Sequence, residues 1–253
     1  MSNSPRVSSD LWVHDLARGT RIRLTSQDAN IYTVWTADGR RVIFSLFKSG
    51  APSFDLYSIA ADGSGKPEPL LVRDFDQLPT SSSRDGRSVA FEEDNPKTGQ
   101  DIHVVSLSGD HASVPFLATS ANEREATFSP DGRFVAYSSN ESGRFEVYVQ
   151  RFPGGGGKSA ISRNGGRWPH WSPKGDELFY RQGSAMMAVT VAVESTFRAG
   201  TPRALFEGRY AEWYDVTIDG GRFVMITKEQ AVLTGLNLVL NWVEELKRLV
   251  PTN

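Results

Sequence analysis

The residues of this chain that could do chemistry do not form a recognisable catalytic set. The four histidines, His14, His103, His111 and His170, fall at unlike positions, and no second ligand accompanies any of them at metal-ligand spacing. Cysteine is absent, which excludes disulfides, thiol catalysis and thiolate metal sites. The serines lack the Gly-x-Ser-x-Gly context of an activated nucleophile. The sequence therefore predicts no catalytic residue, no metal ion and no cofactor.

Side chains suited to binding a partner lie just ahead of five similar segments of the sequence. They combine aromatic rings and guanidinium groups, which are enriched at binding hot spots, with carboxylate and amide groups. The set is Tyr32, Gln77, Glu123, Arg124, Glu125, Arg167, Trp168, His170, Glu212, Trp213 and Tyr214. These residues differ where the following segments are alike, which favours a binding role. The alternative interpretation is that Trp168 and Trp213 belong to the core and that the charged groups are merely solvated.

The elements that must position this set recur with a fixed period. The segments are WTADGRRVIF (35–44), SSRDGRSVAF (82–91), FSPDGRFVAY (128–137), WSPKGDELFY (171–180) and VTIDGGRFVMI (216–226). Their fourth residues are spaced 47, 46, 43 and 45 apart. Each segment is typical of a β-hairpin, because Pro and Asp favour the turn and Gly accepts a positive φ. The turn aspartates are therefore expected to be structural.

A second repeated phrase supplies a third strand. Its copies are DLWVHDL (10–16), DLYSIAA (55–61), DIHVVSL (101–107) and EVYVQRF (146–152), each followed by a polar turn and a short fourth strand. Four antiparallel strands in about 45 residues are the blade of a β-propeller, so we expect an all-β fold. The first acidic residue of each phrase is expected to cap backbone N–H groups at the entry to the third strand. The opening aromatics Trp35, Phe128 and Trp171 are expected to pack between sheets.

The repeats predict one β-propeller domain over residues 1–253, with 1–9 and 250–253 flexible. Complete blades are expected at 30–75, 77–118, 122–163 and 167–207. Residues 8–26 supply only two outer strands, and residues 212–246 supply an inner hairpin and a third strand at 236–243, with a tail that turns helical over 241–249. This pattern favours six blades with an incomplete first blade. Five blades with merged ends are the alternative.

The composition of the chain limits the classes of partner that it is expected to bind. The net charge of −2 does not favour nucleic acid or an anionic membrane surface, and no apolar run is long enough to insert into a membrane. An incomplete first blade has open strand edges, so self-association is expected there. The first ten residues lack the apolar core of a signal peptide, which places the chain as written in the cytoplasm. If the chain belongs to a membrane-anchored kinase-like protein, the same segment is expected in the periplasm or outside the cell.

The phrase F/W-S-P-D-G-R-x-V-A-Y, followed by D/E-x-Y-V, resembles the TolB-type WD-like propeller repeat. The segments 10–25, 128–158 and 236–251 look most like the propeller half of bacterial membrane-anchored serine/threonine kinase-like proteins. The kinase motifs are absent, so the kinase activity does not follow from the resemblance. The resemblance implies a sensor or interaction module of a longer kinase-like or TolB-like system.

The function expected from these observations is non-catalytic binding of a protein, peptide or cell-envelope ligand. In a propeller, the candidate residues enter the central channel at one face, where ligands dock. Loops of different blades would converge there, and the rigid fold would preorganise the site. The alternative is a propeller hydrolase or lyase acting on a glycan, for which Glu123, Glu125 and Glu212 are the available carboxylates.

Overall fold

The computed structural model describes residues 9–154, 156–193, 196–227 and 237–239. These residues form antiparallel β-sheets, and none of them belongs to a helix that is long and apolar enough to span a membrane. The chain divides into two compact units, Met1–Ala126 and Thr127–Asn253. The predicted tail at 241–249 lies outside the described residues, as do residues 1–8 and 250–253.

The first unit contains three sheets. A two-stranded sheet pairs β1 (Trp12–Asp15) with β2 (Thr20–Arg23). The next sheet has the order β3-β4-β5-β6, formed by β3 (Ala29–Trp35), β4 (Arg41–Phe47), β5 (Asp55–Ala60) and β6 (Glu68–Leu71). The third sheet has the order β10-β9-β8-β7, formed by β7 (Gln77–Ser82), β8 (Ser88–Asn95), β9 (Gly99–Ser106) and β10 (Ser113–Leu117). Both larger sheets are the four-stranded antiparallel units that the repeat predicts.

The second unit continues the pattern. Strand β11 (Glu123–Phe128) crosses the boundary and heads the sheet β11-β12-β13-β14, with β12 (Phe134–Ser139), β13 (Glu146–Arg151) and β14 (Ser159–Ala160). A five-stranded sheet follows, formed by β15 (Arg167–Trp171), β16 (Glu177–Gln182), β17 (Ala185–Val193), β18 (Phe197–Ala199) and β19 (Arg203–Glu207). The last sheet contains β20 (Tyr210–Val216), β21 (Phe223–Thr227) and β22 (Asn237–Val239). The sequence does not predict β18, which pairs with the end of the long strand β17.

The turns that close the first hairpins share one construction. Asp38 Oδ1 accepts hydrogen bonds from Thr36 Oγ1 at 2.7 Å and from Arg40 N at 3.0 Å. Equivalent bonds are accepted by Asp85, Asp131 and Asp219. In the fourth repeat, where lysine replaces the aspartate, Ser172 Oγ donates to Asp176 Oδ1 at 2.6 Å instead. These contacts fix the turn backbone, so the aspartates are structural, as the sequence predicts.

The acidic residue that opens a third strand contacts the segment after the fourth strand. Asp55 Oδ1 accepts a hydrogen bond from Arg73 N at 3.1 Å, and Glu146 Oε1 accepts one from Gly165 N at 2.9 Å. The predicted capping role is therefore present at these two positions. The capped amides lie beyond β6 and β14 rather than at the entry to the third strand, so that part of the prediction is wrong.

Apolar side chains fill the space between successive sheets within each unit. In the second unit, Phe134 and Val147 of one sheet pack with Trp171 and Leu178 of the next. Full burial of an aliphatic or aromatic side chain of this kind stabilises the folded chain by about 1.5–3 kcal/mol. One sheet thus supplies the apolar surface that covers the face of its neighbour.

Trp35 is the exception among the opening aromatics. Phe128 and Trp171 are 7% and 3% exposed, whereas Trp35 is 48% exposed. Trp171 packs on the sheet before its own and donates a hydrogen bond from Nε1 to the carbonyl of Thr127 at 3.1 Å. The sheet before Trp35 is the two-stranded sheet β1–β2, which offers no first strand among the described residues. The indole is left uncovered, and the prediction that Trp35 packs between sheets is wrong.

Candidate functional site

Several candidate binding residues lie at a left-handed residue near the start of the first strand, and this feature recurs in different sheets. Tyr32 interrupts the register of β3 between Ile31 and Thr33 and has a φ of 46°. Trp168 in β15 has a φ of 53°, and Glu125 in β11 has a φ of 60°. The three residues hold the same position in the repeat, six residues before the fourth residue of the hairpin segment. A left-handed conformation at a non-glycine residue costs about 1–3 kcal/mol, so specific contacts must hold it in place.

Proline explains why the irregularity moves in one sheet. Pro79 holds the equivalent position in β7, and its ring fixes φ at about −65°, which excludes a left-handed conformation. There Pro79 pairs with Phe91 and Ser81 pairs with Ala90, so Thr80 becomes the extra residue. In β20 the register shifts between Tyr210 and Tyr214. The bulge is thus a recurring feature that re-aims the side chains at the start of the first strand.

In the first unit, the buried carboxylate of Glu92 organises the candidate residues. Glu92 is 5% exposed. Its Oε1 accepts a hydrogen bond from the Glu125 amide at 2.7 Å, and its Oε2 accepts one from Arg124 Nε at 3.1 Å. Burial raises the pKa of Glu92, while the guanidinium of Arg124 opposes that shift. Burial and the carboxyl of Glu92 raise the pKa of Tyr32. The carboxylate thereby holds the left-handed peptide of Glu125 and orients Arg124.

Glu92 is not among the residues that the sequence predicts for the site. It pairs in register with Leu78, as Arg181 pairs with Arg167 and Ser45 with Ile31. This position of the repeat therefore holds Ser45, Glu92, Ser138 and Arg181, which are 0%, 5%, 0% and 5% exposed. The sequence does contain a signal that could have identified Glu92. One position of the second strand changes between serine, glutamate and arginine, although the strand around it is otherwise apolar.

Two predicted site residues of the first unit lie inside the fold. Gln77 is 0% exposed, and its carbonyl accepts a hydrogen bond from Ser45 Oγ at 2.6 Å. Glu123 is 1% exposed, and its carboxylate accepts hydrogen bonds from the hydroxyl and amide of Thr119. Both side chains are buried, and the binding role predicted for them stays a prediction. Glu123 is also one of the carboxylates that the glycan-cleaving alternative would need.

In the second unit, the guanidinium of Arg167 lies between two aromatic rings. Its Cζ is 4.3 Å from the ring centre of Trp168 and 4.5 Å from that of Phe145. The carbonyl of the left-handed residue Trp168 accepts a hydrogen bond from Tyr214 Oη at 2.8 Å. Stacking of a guanidinium on aromatic faces fixes its plane. Trp168 and Arg167 therefore form a preorganised pair on which a ligand could stack.

His170 joins β15 to β20 through an ion pair. Its Nε2 lies 3.1 Å from Asp215 Oδ1, and its Nδ1 lies 3.0 Å from the carbonyl oxygen of Trp171. Both ring nitrogens thus face acceptors, an arrangement that only the doubly protonated ring satisfies. Burial alone would lower the pKa of His170, but the hydrogen bond and charge of Asp215 raise it overall. The hydrogen bond and charge of His170 lower the pKa of Asp215, whose side chain is 72% exposed.

The remaining candidates of the second unit are on its surface. Trp213 is 56% exposed, and Glu212 is exposed as well. The site as described offers aromatic stacking, guanidinium donors and carboxylate acceptors. No group of three or more histidine, aspartate or glutamate residues in the described part of the chain could hold a metal ion. This chemistry suits non-covalent recognition.

Comparison of the sequence with protein-family models and with curated proteins gave no match. Solved structures match by fold. TolB from Acinetobacter baumannii has a TM-score of 0.71 and 19% identity over 87% of this chain, which spans 54% of that protein's length. A nidogen–laminin complex contains a chain with a TM-score of 0.61 and 10% identity, over 92% of this chain and 90% of that one. A prolyl endopeptidase has a TM-score of 0.55 and 15% identity, over 87% and 36%. The chain has the TolB-type β-propeller fold that its repeats predict.

Proposed function

We propose that this chain is a non-catalytic module that binds a protein or peptide, as part of a longer kinase-like or TolB-like system. The observation that carries the proposal is the recurring left-handed position at Tyr32, Glu125 and Trp168. Strained backbone persists where the surrounding structure enforces it, and it concentrates at functional sites. Here it re-aims Tyr32 and Trp168, whose residue types are enriched at interface hot spots, together with Glu125.

The contacts around that position support the proposal. In the first unit, Glu92 accepts the hydrogen bond of the Glu125 amide. In the second unit, the hydroxyl of Tyr214 donates to the carbonyl of Trp168. The left-handed peptides of Glu125 and Trp168 are therefore each held by a side chain from the neighbouring sheet. Such preorganisation lowers the entropy that a binding surface loses when it engages a partner.

The likeness to other propellers is consistent with this function. The nidogen–laminin structure shows that a chain of similar fold takes part in a protein complex. The prolyl endopeptidase is a much longer chain, of which this one covers 36%. Fold likeness alone does not assign an activity. The proposal therefore rests on the residues at the strand starts.

We propose further that the chain is a single domain of six blades with an incomplete first blade, rather than five blades. The described residues form six sheets, of which the first is the two-stranded sheet β1–β2. The exposed indole of Trp35 supports the incomplete first blade, because a full blade would cover it. Self-association would use the open strand edges of this blade.

Selection of a random peptide library displayed on phage against the immobilised chain tests the binding function. Peptides enriched on the wild-type chain are then measured against Trp168→Ala. Because truncation of a hot-spot residue costs about 2 kcal/mol or more, we expect binding to weaken at least about tenfold. Trp12→Ala is the matched control, since Trp12 is 42% exposed and lies in β1, outside the candidate set.

Equal affinity of the enriched peptides for Trp168→Ala and Trp12→Ala would contradict the proposed site. Circular dichroism and urea unfolding of both variants check that each is folded. Failure of the wild-type chain to enrich any peptide would contradict the peptide-binding function itself.

A further inference from the structure

A pocket of about 470 Å³ opens beside the β12–β13 hairpin of the second unit. Its walls include Ser142, Arg144 and Glu146 from the hairpin, Tyr148 from β13, and Ser162 and Arg163 from the segment after β14. A volume of this size falls within the range of small-ligand sites, about 300–1,000 Å³. None of these residues belongs to the candidate set that the sequence predicts.

The pocket exists because the fourth strand of this sheet is short. β14 contains two residues, whereas β6 contains four and β10 and β19 contain five. β14 pairs only with Tyr148 and Val149 of β13. Next to that pairing, the amide of Val147 donates instead to Ser162 Oγ at 2.8 Å. A side chain thus completes the sheet edge, and the missing strand length leaves the concave surface.

The carboxylate of Glu146 in the pocket wall is ionised, and both of its oxygens accept hydrogen bonds. Its Oε1 accepts hydrogen bonds from Arg144 Nε at 2.8 Å and Gly165 N at 2.9 Å, and its Oε2 accepts one from Ser162 Oγ. The side chain is buried. Burial acts to raise the pKa of Glu146, but these hydrogen bonds and the charge of Arg144 lower it overall. The carboxylate is therefore balanced by Arg144 and fixes that guanidinium against the wall.

Arg163 leaves the pocket with a net positive charge. Its carbonyl accepts a hydrogen bond from Arg144 Nη2, while its own guanidinium is exposed and forms no ion pair with any described residue. Lys158 lies 4.4 Å from the ring centre of Tyr148 and is paired with Glu141. The residues of the pocket wall thus include two arginines and one glutamate, and the carboxylate of that glutamate is already balanced by Arg144. A guanidinium fork binds a carboxylate through two parallel hydrogen bonds, which is the contact still open to Arg163.

The pocket adjoins the candidate binding surface. Phe145 follows Arg144 in the hairpin, and its carbonyl accepts a hydrogen bond from Gly166 N at 3.0 Å. Arg167 stacks on the Phe145 ring and also on Trp168. The contacts run without a break from Arg144 through Phe145 and Arg167 to Trp168. A peptide lying on Trp168 could therefore place a side chain in the pocket.

We infer that this pocket binds the carboxylate of an aspartate, a glutamate or the C-terminus of the peptide ligand, with Arg163 as its principal partner. The inference rests on the proposed function, since it names the chemistry of the ligand that the same surface takes. Tyr148 supplies a hydroxyl group at the wall that can donate to the second carboxylate oxygen, whereas the hydroxyl of Ser142 already donates to the carbonyl of Arg144 at 3.1 Å. A ligand that satisfies the surface is therefore an acidic peptide.

Titration with N-acetyl-L-glutamate α-amide, whose side-chain carboxylate is its only charge, tests the inference at constant ionic strength, and N-acetyl-L-glutamine α-amide is the neutral isostere. The readout is the backbone amide NMR signals of Gly143 and Gly165, which border the pocket. We expect saturable shifts with the glutamate and none with the glutamine. Arg163→Gln should weaken the glutamate at least about tenfold, because a hydrogen bond to a charged group contributes about 1.5–3 kcal/mol. Arg198→Gln, an exposed arginine on β18, should bind like the wild-type chain.

Equal response of wild type and Arg163→Gln would overturn the inference, and so would shifts of equal size with the glutamine compound. Arg163 is exposed, so its replacement is not expected to unfold the chain, and the urea midpoint checks this. The peptide selection with Trp168→Ala decides the proposed function separately. Trp168-dependent peptides that bind Arg163→Gln at full strength would leave the binding function standing and remove the carboxylate pocket.

Discussion

The carboxylate of Glu92 accepts a hydrogen bond from the backbone amide of Glu125 at 2.7 Å, so a buried acid holds a left-handed peptide of the next sheet. The same carboxylate pairs with Arg124. A buried acceptor that satisfies a strained amide and a guanidinium together couples the backbone to the proposed binding residues. The stability of the first unit and the orientation of Arg124 therefore depend on one side chain.

Glu92→Gln should destabilise the chain. The amide oxygen can still accept the Glu125 hydrogen bond, but the charge that balances Arg124 is lost. We expect the free energy of unfolding to fall by about 1–3 kcal/mol, measured by urea denaturation. Glu125→Gln is the control, because the Glu125 contact to Glu92 uses its backbone amide. A smaller loss for Glu92→Gln than for Glu125→Gln would contradict this account.

The left-handed position should reverse the usual order of glycine and alanine. At Glu125, with a φ of 60°, Glu125→Gly should be more stable than Glu125→Ala by about 1 kcal/mol, since glycine adopts positive φ without steric cost. At Thr127 in the same strand, Thr127→Ala should be the more stable of the pair. Urea midpoints of the four variants measure both differences. The same order at both positions would show that residue 125 is not strained.

The His170–Asp215 pair should make stability depend on pH. Because the folded pKa of His170 is raised, its contribution is complete below the ordinary histidine value of about 6.5 and is lost as the pH rises through the folded value. Because the folded pKa of Asp215 is lowered, its contribution is present above the ordinary carboxyl value and is lost as the pH falls through the folded one. The pair therefore contributes most between the two ordinary values, and its contribution is lost as the pH passes beyond either folded value. His170→Asn should lose stability relative to wild type in that range and lose less at alkaline pH.

Urea unfolding of wild type and His170→Asn across this range measures the effect. His14→Asn is a matched control, because His14 lies in β1 of the other unit. A stability difference between wild type and His170→Asn that does not change with pH would contradict the ion pair.

Arg181 should tolerate replacement by an apolar residue. It is 5% exposed, and its Nε and Nη1 have no hydrogen-bond partner among the described residues, while Nη2 donates to the carbonyls of Gly183 and Ser184. Burial lowers its pKa, which reflects the cost of keeping the charge away from water. Since an uncompensated buried charge opposes folding, we expect Arg181→Met to be no less stable than wild type in urea. A loss above about 1 kcal/mol would mean that its carbonyl contacts outweigh that cost.

Trp35 and Trp171 should respond very differently to truncation. The two indoles hold the same repeat position but are 48% and 3% exposed. Trp171→Ala should cost about 3–5 kcal/mol, as expected for a large residue removed from a packed core, and Trp35→Ala should cost clearly less. Free energies of unfolding from urea titrations of the two variants measure the contrast. Similar losses would mean that Trp35 is covered in solution.

The scaffold followed from the sequence because its rules are local. A turn such as Thr36 to Arg40 is specified by its own residues, and the alternation of apolar residues in β4 or β12 needs no knowledge of a neighbour. The fold class and the four-stranded sheets were predictable for that reason. The short strand β18 carries no repeat signal and was not.

The site was less predictable because it depends on contacts between sheets. Glu92 and Arg181 hold the same repeat position, which in the sequence resembles an ordinary buried strand position. Only the contacts show that Glu92 forms an ion pair with Arg124, whereas Nε and Nη1 of Arg181 have no hydrogen-bond partner among the described residues. Trp35 failed as a core residue because its burial depends on a strand contributed by a different sheet. Gln77 shows the same dependence, since Ser45 of the preceding sheet engages its backbone.

These contacts also bear on how such a chain can change through gene duplication. Glu92 belongs to one repeat and Glu125 to the next, and the Tyr214–Trp168 hydrogen bond likewise joins two repeats. A duplicated repeat would carry each half of these pairs next to an unrelated partner. A change in the proposed binding surface of this kind of protein therefore requires linked substitutions in two neighbouring repeats. A single duplicated repeat would keep the blade fold but lose the contacts that position its candidate binding residues.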